Sequence, residues 1–374
     1  MKQGIRTLLT KVKNKLGKKE KAAGIRTIAV CAAQVPFRTG GAEACVGGLI
    51  KNLRLRGFEV ELINIPYKWY PHEQLLKSIE VWKLLDLSES DGKKIDLVIA
   101  TKFPSYFVRH PRKVLWLIHQ YRQIYDLLNT PYSGFNPSSR ADMARRDKLV
   151  AMDTEALKSY PRIYTNARNT ADRLKTYNRI EGIPLYHPPP LAGRYSTESY
   201  QDFILSVGRL DKLKRVDLLI EGLRHCRPAL ACRIAGTGPE LERLQAQASE
   251  AGLSDRVEFL GHVSDEDLIR LFATCGAVFF APQDEDYGYI TLEAFLSRKP
   301  VITAFDSGGP LEFVEDGVNG RVLKDLDGGA VGKAIEDMLS DRARSARWGE
   351  AGFERVKDMN WDHVVDVLVH GEEP

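Results

Sequence analysis

Along this chain, short apolar runs alternate with stretches whose apolar positions fall at helical spacing, and glycine-rich or polar turns separate most neighbours. The runs at 26–33, 58–63, 95–100 and 113–118, and later at 203–207, 231–235, 257–260, 277–281 and 301–303, read as buried strands. Between them, Ala44, Leu49, Ile50 and Leu53 mark a helix ended by Gly57, residues 73–86 another, and residues 169–177 a basic third. In the second half, Leu218, Leu219 and Leu223 lie on one helix, another starts at Glu240, Ser264 caps a third, and Leu292, Phe295 and Leu296 share a side of a fourth that stops before Pro300. Strand, turn, helix, strand is the unit of an open parallel sheet, in which ligands bind beyond the carboxyl ends of the strands. Pro188, Pro189 and Pro190 form a stiff extended linker and set a domain boundary: 25–190 before it, 191–350 after it, and a last helical stretch at 351–374. Residues 129–150, rich in Asn, Pro, Ser and Gly and then in charge, read as a loop.

The chemistry-bearing residues cluster where that pattern places strand ends. After the apolar run at 277–281 comes a polar turn with Glu285 and Gly288, then Tyr289, Ile290 and a helix bearing Glu293. A carboxylate accepts two hydrogen bonds at once and suits a vicinal diol, and a helix N-terminus favours its ionised form. Two acids near a helix start are also ordinary surface chemistry. Arg209 and Lys214 follow the strand at 203–207 and suit a diphosphate, with Lys212 as a further candidate. The Gly40-Gly41 pair between the first strand and its helix lets backbone N–H groups approach an anion, although such pairs are common in turns. It is not G-x-G-x-x-G, which argues against a nicotinamide cofactor. His119 stands at the carboxyl end of the run at 113–118 and so faces a ligand crevice.

Pro282, Glu285, Gly288 and Glu293 in E-x7-E spacing, continuing through Lys299-Pro300 and Ser307-Gly308-Gly309-Pro310, resemble the signature of family 4 retaining glycosyltransferases. The resemblance covers 27–368 in layout and is closest over 203–323. It implies an α/β chain of GT-B fold: two facing Rossmann-like doubly wound domains with an interdomain cleft, the last helix crossing back onto the first domain. It implies a nucleotide-diphosphate sugar as donor and a glycan or lipid-linked saccharide as acceptor. Arg209 and Lys214 would stabilise the departing diphosphate, Glu293 would bind the ribose hydroxyls, and Glu285 would bind the transferred sugar. His119 would orient that sugar, and the Gly40-Gly41 loop would close on it. Gly208, Gly236, His262, Val263, Gly288, Tyr289 and Ile290 would complete the donor site, with His262 and Val263 where related enzymes cradle the base. No cofactor or metal is expected. Asp-x-Asp occurs three times, at Asp265/Asp267, Asp284/Asp286 and Asp325/Asp327, too often to mark a metal site. A GT-B epimerase and a non-catalytic nucleotide-sugar-binding protein share these features and stay as alternatives.

Composition bounds this reading. A length of 374 residues fits two domains, and 43% apolar content fits a globular protein. The five cysteines are scattered without C-x-x-C, which predicts a reduced, cytoplasmic protein. The net charge of +4 is uneven: residues 1–24 hold eight Lys/Arg against Glu20 alone, a net +7 that leaves −3 for the rest. Ile5, Leu8, Leu9, Val12 and Leu16 fall opposite those lysines at helical spacing. A solubilising tail, a helix lying on an anionic membrane surface, and a nucleic-acid arm compete there. No aromatic is interleaved for base stacking, so no nucleic-acid partner is expected.

Overall fold

The computed structural model describes residues 24–37 and 40–371. The amphipathic stretch before Gly24 and the turn residues Arg38 and Thr39 lie outside the described residues. The chain divides into two compact units, one running through His187 and resuming at Asn360, the other spanning Pro188–Met359.

The first unit holds strands β1 (Thr27–Gln34), β2 (Glu59–Pro66), a β3–β4 hairpin (Glu89–Ser90, Lys93–Lys94), β5 (Leu97–Lys102), β6 (Lys113–His119), β7 (Ile163–Thr165) and β8 (Ile183–Pro184). Six of them form one sheet in the order β2-β1-β5-β6-β7-β8, every neighbouring pair parallel. Its helices are α1 (Gly41–Leu55), α2 (Glu73–Leu84), α3 (Arg140–Lys158) and α4 (Arg168–Asn178). Strand residues alternate between faces. Ile28 and Val30 join one core with Leu49, Leu53 and Trp116, whereas Ala29 and Cys31 join the other with Leu75, Trp82 and Leu115.

Residues 140–158 correct the loop expected over 129–150: α3 begins at Arg140. Ser139 caps it, its hydroxyl accepting from the Asp142 amide at 3.2 Å. Its buried face is Leu149, Asp153 and Leu157, one residue per turn, a stripe too narrow and too polar to register as amphipathic in the sequence.

The second unit holds β9 (Phe203–Val207), β10 (Ala231–Ala235), β11 (Val257–Gly261), β12 (Ala277–Phe279), β13 (Val301–Ala304) and β14 (Gly320–Leu323), with helices α5 (Val216–Leu223), α6 (Leu241–Glu250), α7 (Asp265–Thr274), α8 (Tyr289–Leu296), α9 (Gly328–Ser340) and α10 (Arg342–Val356). The sheet order is β11-β10-β9-β12-β13-β14, again parallel throughout. The final helix, α11 (Trp361–His370), belongs to the first unit, while residues 351–359 stay with the second. Asn360 caps α11 by accepting from the His363 amide at 2.9 Å. All five cysteines are free and buried. Among the described residues no helix is long and apolar enough to cross a membrane.

Candidate functional site

In the second sheet the connections run one way from β9 to β10 and β11 and the other way to β12, β13 and β14, so the topological switch lies between β9 and β12. Loops leaving these two strands diverge and open a crevice at their carboxyl ends. Gly208 ends β9 at φ 140°, and Gly236 ends β10 at the same angle. A Cβ on Gly236 would stand 1.9 Å from the Gly208 carbonyl oxygen. Only glycine at 236 lets the two strand ends close in this way, with the Gly208 amide donating to the Ala235 carbonyl at 3.0 Å.

Beyond Gly208 the Arg209 side chain is exposed and makes no ion pair among the described residues. Lys212 is also exposed. Lys214 reaches across the switch to form an ion pair with Glu285, and its ammonium lies 5.6 Å from the centroid of the Phe280 ring. The backbone makes the same crossing, Gln283 N–H donating to the Leu213 carbonyl at 2.8 Å. Arg215 occupies the left-handed region at φ 51° and sends both terminal nitrogens to the Asp306 carboxylate at 2.6 Å each. The loops after β9, β12 and β13 are thereby tied into one framework.

Glu285 is fixed by its own backbone as well. Its amide donates to the Ser307 carbonyl at 2.9 Å, and its carbonyl accepts from Gly309 at 2.7 Å. Gly288, at φ 84°, turns the chain into α8, leaving Tyr289 and Ile290 half-buried at the helix start. Glu293 follows in the second turn and is only 7% exposed. Burial pushes its carboxyl up to about 7. The Tyr195 hydroxyl facing it pulls the value down, and Asp265 pushes it up. This corrects the expectation that the helix N-terminus keeps Glu293 ionised: removing a carboxylate from water outweighs a terminal dipole that is already a turn away. His262 is exposed and Val263 half-buried past the end of β11, just before the Ser264 cap of α7.

The remaining sequence-derived residues stand in the first unit. Its sheet switches direction between β1 and β5. Gly40 precedes α1 in extended backbone, and among the described residues a Cβ there would meet only the Glu43 carboxylate, at 3.7 Å. The conformation of Gly40 therefore does not itself require glycine. Gly41 is the first residue of α1. His119 closes β6 in register with Lys102, its carbonyl accepting from Phe103 at 3.1 Å. Lys102 in turn pairs with Glu43 at 2.5 Å beside a cavity of about 170 Å³ that also meets Ala33, Gln34 and Asn64.

The structure thus brings Lys214 and Glu285 into contact at the second switch point, with Arg209 on the same loop as Lys214. His119 and the Gly40-Gly41 turn belong to the other unit. Sequence reasoning passed over Tyr195 and the Arg215–Asp306 pair. Arg215 adjoins Lys214 and could have been weighed as another cation, but no spacing rule connects Tyr195 to Glu293, 98 residues downstream in numbering. Among the described residues no group of His, Cys, Asp and Glu is arranged to hold a metal ion.

Residues 194–355 match the sequence model of the glycosyl transferases group 1 family. The D-inositol 3-phosphate glycosyltransferase of Mycolicibacterium smegmatis is 32% identical over 175 residues, a match covering 45% of this chain and 39% of that protein. The chain thus spans well under half the length of that curated relative. Among solved structures, sucrose-phosphate synthase from Thermosynechococcus elongatus superposes with a TM-score of 0.71 at 19% identity, covering 91% of this chain and 96% of that one. Anabaena HepE, solved with UDP and glucose, gives 0.66 at 18% identity, covering 91% and 97%. The shared fold is GT-B.

Proposed function

We propose, for a chain whose residues 194–355 match the sequence model of the group 1 glycosyl transferases, that it moves a hexose-type sugar from a nucleoside-diphosphate donor to an acceptor with retention of configuration. The observation that carries this reading is the Lys214–Glu285 ion pair across the switch point, with the exposed Arg209 on the same loop. An arriving diphosphate supplies a denser negative charge than one carboxylate. It takes over Lys214 and meets Arg209, each charge-assisted hydrogen bond contributing about 1.5–3 kcal/mol. Glu285, released from Lys214, then accepts hydrogen bonds from hydroxyls of the transferred sugar.

In the reaction the bond between the anomeric carbon and the diphosphate oxygen breaks, and the two cations hold the charge that collects on that oxygen. The acceptor hydroxyl attacks from the same face and passes its proton to the leaving phosphate. No covalent glycosyl-enzyme forms, so the carboxylate-separation rule for glycoside hydrolysis does not apply. Two protein cations take the place that a metal holds in other transferases. Glu293 binds the ribose diol, while Gly208, Gly236, His262, Val263, Gly288, Tyr289 and Ile290 line the donor. His119 and the Gly40-Gly41 turn orient the sugar. The acceptor is a glycan or lipid-linked saccharide, as suits a protein whose residues 1–24 carry a net +7. Deleting those residues is expected to weaken binding to anionic vesicles while activity on a soluble acceptor persists; undiminished vesicle binding removes the membrane role.

The deciding experiment is a thermal-shift panel with UDP, GDP, ADP and their sugars, with EDTA and with magnesium, followed by product analysis. A ligand at 100 times its dissociation constant adds about 2.7 kcal/mol. A shift with one nucleotide that survives EDTA, and an axial product from an axial donor, support the reading. No shift with any nucleotide overturns it. Epimerised sugar formed without acceptor reassigns the site to an isomerase.

A further inference from the structure

The segment that leads from the proline-rich linker into β9 is strapped to α7. Arg194 pairs with Glu266 at 2.9 Å and with Asp265 at 3.7 Å. The next residue, Tyr195, sets its ring edge-on to Phe272 of α7, centroids 5.9 Å apart at 89°. These contacts deliver the Tyr195 hydroxyl to Glu293. Both the Tyr195 hydroxyl and Oε2 of Glu293 are buried, and neither makes a hydrogen bond of ordinary geometry. Buried polar atoms almost always find partners, and a phenol and a carboxylate that act on each other's titration are natural ones.

The surroundings leave the carboxylate few other partners. The leading segment supplies Arg194 and Tyr195, and α7 supplies Asp265. Strands β12 and β13, packed against α8, carry no ionisable side chain. Glu350 of α10 is taken by Arg298 at 2.7 Å. An ionised carboxylate has roughly four acceptor positions, of which a vicinal diol uses two. A donor on the buried oxygen leaves the remaining positions to the ligand.

We propose that Tyr195 is a positioning residue for Glu293: its hydroxyl donates to the carboxylate and fixes it in the orientation that takes up the vicinal diol of a nucleoside. This rests on the reading of Glu293 as the diol acceptor. A phenol at this position also resists the pull of burial on Glu293, which otherwise favours the protonated form. A protonated carboxyl has turned one of its acceptor positions into a donor. Losing the phenol must therefore move the acid limb of nucleotide binding toward higher pH.

Phenylalanine at 195 keeps the ring against Phe272 and removes only the donor. UDP, GDP and ADP are titrated calorimetrically into the full chain, into Tyr195→Phe and into Glu293→Gln, from pH 6 to pH 9. For the nucleotide that binds, wild-type affinity is expected to fall on the acid side of pH 7, as the carboxyl there takes up its proton. In Tyr195→Phe the fall starts at higher pH; a rise of one unit in proton affinity takes the ionised fraction at pH 7 from about a half to about a tenth, a loss of about fivefold that closes toward pH 9. Glu293→Gln is expected to bind weakly throughout. If Glu293→Gln is weak but Tyr195→Phe follows the wild-type curve, or is weaker by one constant factor at every pH, the positioning role falls and the Glu293 reading stands. If no nucleotide binds, or Glu293→Gln binds as the wild type does, both fall together.

Discussion

Glu293 shows how a single buried carboxyl can weigh on the fold. Its carboxyl is raised from 4.5 to about 7 in the native state, so the folded protein prefers the protonated form. That preference stabilises fully below about pH 4.5 and is lost as pH rises through 7, a term of about 3 kcal/mol. Glu293→Gln carries no charge to bury. Its Tm is expected to lie a few degrees above wild type at pH 8, with the difference shrinking toward pH 5, while nucleotide affinity drops. Melting curves at the two pH values check this, and a Tm difference that does not change with pH contradicts it. Lys214 presents the opposite balance. It and Glu285 are 21% and 30% exposed, a setting in which an ion pair contributes no more than about 1 kcal/mol to stability. Replacing Arg209 and Lys214 with alanine should shift Tm little and lower kcat by about 10²–10³ per cation. Near-normal turnover in the double variant would remove the diphosphate assignment. Such residues were legible because their chemistry coincides with a strand end: Arg209, Lys214, Glu285 and Glu293 all follow apolar runs. The upward shift of the Glu293 carboxyl was not legible, because it depends on how far α8 sinks into the unit. Nor was Tyr195, whose relation to Glu293 exists only in three dimensions.

At the scale of elements, the long apolar runs gave their strands away, whereas α3 did not, having just one buried residue per turn and one of those an aspartate. Asp153 lies buried between the Tyr106 and Tyr125 hydroxyls, which donate to its two oxygens at 2.5 and 2.6 Å, and no pattern of apolar spacing anticipates a core position filled by a carboxyl. The α8–α10 contact is a second feature invisible to periodicity. Gly349 and Gly352, one turn apart on α10, present bare backbone to the other segment. A Cβ at 352 would stand 2.2 Å from the Phe295 ring, and one at 349 only 1.8 Å from the Arg298 carbonyl oxygen. By helix propensity alone, alanine at either position gains about 1 kcal/mol. The contacts reverse that sign. Gly352→Ala is expected to lose about 1–3 kcal/mol, as overpacked cores do, and Gly349→Ala more, because its obstacle is backbone. Since α8 carries Glu293, both substitutions should also weaken nucleotide binding. Denaturant midpoints rank the two; an increase in stability in either would show that the helices can separate without penalty.

The whole molecule is less modular than its linear layout suggests. The three prolines signalled a boundary, and the first unit ends at His187 just before them. Yet that unit is finished by residues from the far end of the chain. From α11, Val364, Val365, Val367, Leu368 and Val369 are buried, in the same core as Ile28, Val30, Leu49 and Trp116. Its first residue, Trp361, fits against Gly48 so closely that a Cβ there would lie 2.5 Å from the indole, and its ring stacks on His187, centroids 5.6 Å apart. Asp362 adds an ion pair with Arg56. Side chains of this kind contribute about 1.5–3 kcal/mol each when fully buried. Five of them approach the roughly 5–15 kcal/mol by which a whole domain is stable. A chain cut after Met359 should therefore lose the first unit while the second keeps its own core. Limited proteolysis of the truncated protein is expected to cleave first between residues 24 and 187, with peptides from 188–359 remaining protected and the nucleotide-induced shift retained. Equal protection of both stretches would mean that the apolar face left by α11 closes over without it. Equal cleavage of both would mean that the second unit, too, depends on a helix it does not contain.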